Sequence, residues 1–161
     1  MDEIKIRQAV PADVANLNRV LSQLSSDMGD EHRAGEAEIA RFCFGANPVF
    51  HALLAEAADG TIVGAAAYSP FFSTVNGSVG IYVSDLWVAE QMRGKRLGQG
   101  LLAAVRKAGI VAWDAGFIRL GVYQDNPKAL AFYERIGFVP AADTQFMTLA
   151  GKAYESLGDE A

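Results

Sequence analysis

The sequence predicts an α/β protein with a mixed central sheet of about seven strands and flanking helices. Three observations point there. Segments of two-residue and 3.6-residue apolar period follow one another as strand, two helices, three strands, helix, strand, helix and two short strands. An apolar run, Val79 to Val88, feeds a basic Gly-containing turn and then a long helical pattern. No internal repeat or interdomain linker interrupts the series, so residues 1–157 read as one domain, with 158–161 a disordered tail.

Each element has its own signal. Ile4-Lys5-Ile6-Arg7 alternates like a half-buried strand. Pro11 opens a helix to about Ser26 whose stripe is Val14, Leu17, Val20, Leu21 and Leu24. An acidic turn with Asp27, Asp30 and Glu31 separates it from a second helix, Gly35 to Phe44, which ends at Gly45. Phe50 to Glu56 and Ile62 to Tyr68 are strands joined across Asp59-Gly60. Residues 70–77 lead into the central strand. Gly98 to Asp114 forms the long helix and Phe117 to Tyr123 a buried strand. Pro127 to Ile136 is a helix with Pro at its first position and Asp125 or Asn126 as its cap. Phe138-Val139 and Gln145 to Leu149 are the last two strands.

Composition narrows the function classes. The chain has 161 residues, 51% of them hydrophobic and 20% charged, enough for a core without disulfides. One cysteine, Cys43, excludes an internal disulfide framework. The first residues lack a secretory pattern, and no run approaches the roughly 18 apolar residues of a membrane span. A net charge of −5 argues against a general nucleic-acid binder. The expectation is a cytoplasmic protein, free of nucleic acid and membrane.

The strand-turn-helix at Val88 to Leu102 carries the chemistry. Unpaired N–H groups of a helix's first turn point at whatever lies beyond it, and the macrodipole favours an anion there. Gly94 and Gly98 allow close approach of the backbone, while Arg93, Lys95 and Arg96 add positive charge. A pyrophosphate suits that loop. A Walker loop is absent, and Gly98-Gln99-Gly100-Leu101-Leu102-Ala103, which satisfies the dinucleotide fingerprint by letter, lies too far from its strand and lacks the answering carboxylate.

Arg93-Gly94-Lys95-Arg96-Leu97-Gly98-Gln99-Gly100 resembles the pyrophosphate-binding motif of the GCN5-related N-acetyltransferases (GNATs), Arg/Gln-x-x-Gly-x-Gly/Ala. Arg96 stands where the first motif glycine normally sits. Asn126-Pro127-Lys128-Ala129 through Phe132-Tyr133 to Gly137-Phe138 resembles the family's Asn-x-x-Ala-x-x-Phe-Tyr-x-x-x-Gly-Phe segment at full spacing. Tyr82 to Val88, with Tyr68 to Thr74 and Phe50 to Glu56, is similar to the diamine and thialysine acetyltransferase branch. That branch typically has Tyr-Leu-Glu-Asp-Leu; here Ser84 replaces the glutamate and Asp85 is retained.

The resemblance implies the GNAT fold and acetyl-CoA as cosubstrate, held by Leu86, Trp87, Val88, the Arg93–Gly100 loop and Asn126. A backbone N–H near Val88 would hold the thioester oxygen, and Tyr133 would protonate the departing sulfur. The acceptor amine, mostly charged at neutral pH, needs a base. Asp85, or a water held by Ser84, is the candidate. Asp27, Asp30, Glu31 and Trp87 border the expected acceptor side. Cys43 lacks an activating base. His32 and His51 lack metal-spaced partners and read as surface or packing residues, so no metal is expected.

The implied activity is acetyl transfer to a primary amine of a small molecule, polyamine-, diamine- or amino-acid-like, directly within a ternary complex, by a homodimer. Two alternatives remain at this point. One is an acceptor on a protein or antibiotic. The other is an acyl-CoA sensor that kept the loop but lost turnover.

Overall fold

The computed structural model describes residues 3–159, which divide into two compact units, one up to Gly121 and one from Val122. In the first, β1 (Lys5–Gln8) is followed by a single 3-10 turn at Pro11–Asp13 and then by α1 (Val14–Met28) and α2 (Glu36–Phe44). Three strands come next: β2 (His51–Glu56), β3 (Ile62–Ser73) and β4 (Ser78–Val88). A second 3-10 turn, Glu90–Met92, leads to α3 (Leu97–Trp113) and β5 (Phe117–Leu120). The strands lie in sequence order, antiparallel from β1 to β4, with β5 parallel to β4. A parallel partner needs a crossover, and α3 supplies it.

The core lies where the apolar stripes meet the sheet. Leu17 and Val20 of α1, Leu101 and Val105 of α3, and Leu54, Ala66 and Ile81 of the strands are all 1% exposed or less. Gly109 lets α3 come close: a Cβ there would sit 2.1 Å from Ile81. One at Gly64 would meet Leu97 and Leu101 at 3.3 Å or less. Ile81 and Gly64 therefore face α3.

Two strand ends differ from the sequence expectation by three residues or more. β3 runs five residues past Tyr68 to Ser73. Pro70 is tolerated because β2 pairs with β3 only as far as His51↔Tyr68, so beyond it no neighbour on that side needs an N–H. β5 stops at Leu120 rather than Tyr123. Its ladder ends at Val83↔Leu120, where β4 becomes irregular.

In the second unit, α4 spans Pro127–Arg135 and α5 spans Lys152–Glu155. Among the described residues the sheet has five strands, not seven. Phe138 is taken up in closing α4, its N–H donating to the Tyr133 carbonyl beside Gly137 at φ 105°. Gln145 to Leu149 forms no ladder among the described residues, and neighbouring Phe146 and Met147 are 73% and 92% exposed. A strand needs a paired backbone as well as an apolar pattern. Of the tail expected to be disordered, Asp159 closes a turn onto Ser156, and residues 160–161 lie outside those described.

Candidate active site

The decisive local feature is a β-bulge in β4. Ala67 pairs with Asp85 but the next residue, Tyr68, pairs with Val83, which leaves Ser84 as an extra residue. Before the bulge, Ile81 faces α3. After it, Val88 does, because it pairs with Gly64. The inserted residue reverses the parity of the strand, so neighbouring Ser84 and Asp85 both open on the face opposite α3. The two candidate base residues thus share one cleft of about 410 Å³.

α1 contributes Leu21 and Ser25 to that cleft, and the turn after it Glu31, His32 and Arg33. α2 adds Glu38, Ile39 and Phe42, and the entry to β2 adds Val49 and Phe50. The Ser84 hydroxyl donates to Asp85 Oδ2 at 2.8 Å and has the Ala67 carbonyl 3.3 Å away. Burial pushes the Asp85 carboxyl above the ordinary carboxylate range; the Ser84 hydrogen bond and the His32 ring oppose that shift without cancelling it. The His32 ring is fixed between Asn18 Oδ1 at 3.0 Å and Ser25 Oγ at 3.2 Å. His32, expected as a surface or packing residue, lines the cleft with Phe42 and Phe50, which the sequence did not single out as site residues, because what gathers all three is the packing of α1 and α2 over β4.

Beyond Asp85, β4 prepares a second polar group. Ala89 N–H donates to the Val63 carbonyl at 2.9 Å. In an antiparallel ladder the neighbouring pair, Val88 with Gly64, must then turn its backbone groups away from β3. The Val88 carbonyl accepts from Arg93 Nε at 3.1 Å on that outer side, and the Val88 N–H points the same way. This is past the last β4–β5 pair, Val83↔Leu120, where the two strands no longer hydrogen-bond.

The loop that follows fits a diphosphate. The α3 backbone ladder begins with Gly100 N–H on the Arg96 carbonyl, so the N–H groups of the preceding turn face outward. Gly94 has φ 76°, and no atom lies within 4 Å of where a Cβ would stand. Arg96 has φ 65°, the left-handed conformation that glycine adopts freely; an arginine there costs about 1 kcal/mol. Gly94, Lys95, Arg96 and Gln99 are exposed, with Gly98 and Gly100 half-buried.

Other expected site residues are placed differently. Arg93 is already engaged: besides Val88, it binds Asp27 Oδ2 through Nη2 at 2.9 Å. Asp27 thus meets the cofactor loop, whereas Glu31 lines the cleft with Asp85 and pairs with Arg33 at 2.9 Å. Asp30 is exposed in the same turn. The Leu97 side chain is buried toward β3, which leaves only its backbone for a ligand, and Leu86 is half-buried. Trp87 is 6% exposed and its indole N–H lacks a hydrogen-bond partner among the described residues.

In the second unit, Asn126 caps α4, Oδ1 accepting from Ala129 N–H at 3.2 Å. Tyr133 stacks edge-on against Phe138, ring centroids 5.4 Å apart, and burial raises its phenol pKa. Burial likewise pushes the Cys43 thiol to about 11, which leaves it a poor nucleophile. Among the described residues no cluster of three or more His, Cys, Asp or Glu could hold a metal, and no helix is long and apolar enough to cross a membrane.

Known proteins resemble this chain in sequence and in fold. The sequence profile of the Acetyltransferase (GNAT) family matches residues 17–138. Thialysine N-epsilon-acetyltransferase of Sus scrofa is 32% identical over 148 residues, 85% of each chain. The spermidine/spermine N(1)-acetyltransferase-like protein 1 of Homo sapiens is 30% identical over 118 residues, 68% of this chain and 17% of that protein. Among solved structures, an integron cassette protein from the mobile metagenome of V. cholerae superposes with a TM-score of 0.79 at 21% identity, covering 96% of both chains. An aminoglycoside N-acetyltransferase in complex with CoA gives 0.77 at 20% identity, covering 92% of this chain and 95% of that one. The chain belongs to the GNAT family, and is an acetyltransferase whose cosubstrate is acetyl-CoA.

Proposed function

We propose that the protein transfers the acetyl group to a primary amine of a small molecule, directly and without an acetyl-enzyme. The bulge that brings Ser84 and Asp85 into one cleft carries the reading. A carboxyl whose pKa is raised by burial is a better base, once ionised, than an ordinary aspartate. Asp85 takes the proton from the acceptor ammonium, with Ser84 orienting the carboxylate. The Val88 N–H meets the negative charge that grows on the carbonyl oxygen as the amine nitrogen bonds to its carbon. As the carbon–sulfur bond breaks, the nitrogen, now bearing the acyl group, gives up its second proton to solvent. Tyr133, in the role the family resemblance implies, gives its phenolic proton to the sulfur and regains one from solvent, to which Asp85 returns its own. Bound acetyl-CoA supplies the activated acyl group. The backbone of Gly94 to Gly100, with Lys95 and Arg96, holds its diphosphate, while Leu86, Trp87 and Asn126 flank the rest.

The acceptor side comprises the cleft and the acidic turn bearing Asp30 and Glu31. The relatives named for thialysine and for spermidine/spermine support a small amine. We further propose a homodimer, as the family resemblance implies, and a cytoplasmic location; sedimentation would test the first. The test of the reaction is thiol release from acetyl-CoA with both substrates varied. Intersecting initial-velocity lines are expected for direct transfer; parallel lines would demand an acetyl-enzyme and overturn the reading.

A further inference from the structure

We propose that the cleft selects an acceptor with one ammonium group on an apolar or aromatic body, and discriminates against diamines and polyamines of equal length. The proposal rests on the acetyltransferase reading above and names the substrate class of that same site. The apolar wall is large: Leu21, Ile39, Phe42, Val49 and Phe50 all line the cleft. Such a wall recovers transfer free energy from a hydrocarbon chain and costs free energy for a charge laid against it.

The anions that line the cleft itself fit one ammonium. Asp85 is the carboxylate withdrawn from solvent, and Ser84 beside it is neutral. The other two cleft carboxylates have local partners. Glu31 binds Arg33 through Nε at 3.2 Å and Nη2 at 2.9 Å. Glu38 accepts the Gly35 N–H at 2.9 Å and so caps the start of α2. Arg33, which also lines the cleft, is the partner that occupies Glu31. A second ammonium on the acceptor would therefore find apolar side chains or carboxylates already engaged.

The experiment compares acceptors that carry one positive charge with acceptors that carry more, hexylamine and 1,6-diaminohexane being matched in length. With the full chain and saturating acetyl-CoA, kcat/KM is measured for n-hexylamine, 1,6-diaminohexane, 2-phenylethylamine and spermidine. Each monoamine is expected to exceed each polycation by about tenfold or more, the order of effect an unpaired charge produces in such a site. Val49→Glu, at a largely exposed position of the wall, should raise the diaminohexane-to-hexylamine ratio several-fold. Equal or better use of the polycations would overturn the proposal. So would turnover of none of the four amines by a protein that still binds acetyl-CoA in calorimetry. Failure to bind acetyl-CoA would instead overturn the functional reading beneath it.

Discussion

At the residue scale the site turns on Asp85, and its environment predicts opposite effects on activity and stability. The folded protein raises its pKa above the unfolded value. The folded state therefore binds that proton more tightly, so this group's contribution to stability falls as pH rises through the window between the two values, and above it the ionised, buried carboxylate is a net cost. Asp85→Asn should remove that cost and raise the melting temperature at neutral pH. The same change should lower kcat/KM by about a hundredfold or more and abolish the acidic limb of the pH–rate profile, which in the wild type lies above the ordinary carboxylate range. Calorimetry and a pH profile together decide the case: a variant of lowered stability and unchanged activity would make Asp85 a structural group. The sequence supplied both Ser84 and Asp85 as candidates, yet alternation along a strand sets neighbours on opposite faces. A bulge is a relation between two strands, Ala67-Tyr68 and Val83 to Asp85, and one strand's residues do not encode it by themselves.

At the element scale, the bulge and the Arg93 bracket each make a prediction. Deleting Ser84 would restore the regular register without moving any apolar side chain of β4 to the wrong face, since the parity reversal and the extra residue vanish together. The deletion variant should therefore unfold cooperatively with near wild-type stability while losing turnover, because Asp85 loses its hydroxyl partner and β4 loses the added twist of a bulge. Loss of cooperative unfolding would show that the bulge is built into the core instead. Arg93 ties the end of β4, through the Val88 carbonyl, to the end of α1, through Asp27. With its guanidinium spent on these contacts, its role in the proposed reading is to hold the loop in position, which leaves the diphosphate to the backbone N–H groups and to Lys95 and Arg96. Asp27→Ala should weaken acetyl-CoA binding by about two- to fivefold, the range expected for a part-exposed ion pair. Tighter binding in calorimetry would mean that Asp27 competes with the phosphates for Arg93. The loop and α4 were legible because glycine, proline and capping signals are local. The roles of Asp27, Leu97 and the 145–149 segment were not, because they depend on what lies across the fold.

At the scale of the whole molecule, charge sets a contest between long and short range. The protein carries 14 lysines and arginines against 19 aspartates and glutamates, a net −5, and its cosubstrate is a polyanion. Distance decides which sign acts. At physiological ionic strength the Debye length is about 8 Å, so most of the acidic surface is screened from a diphosphate seated at the start of α3. Lys95 and Arg96 flank that position, and the α3 dipole adds its positive end. The local attraction should dominate the bound state. Because the partners are exposed rather than buried, the attraction itself remains open to salt. Acetyl-CoA affinity should therefore fall as ionic strength rises, by about three- to tenfold between 50 and 500 mM, when followed by calorimetric titration. Repulsion by the net charge predicts the reverse, an affinity that improves with salt, and such an outcome would place the diphosphate away from the Arg93–Gly100 loop.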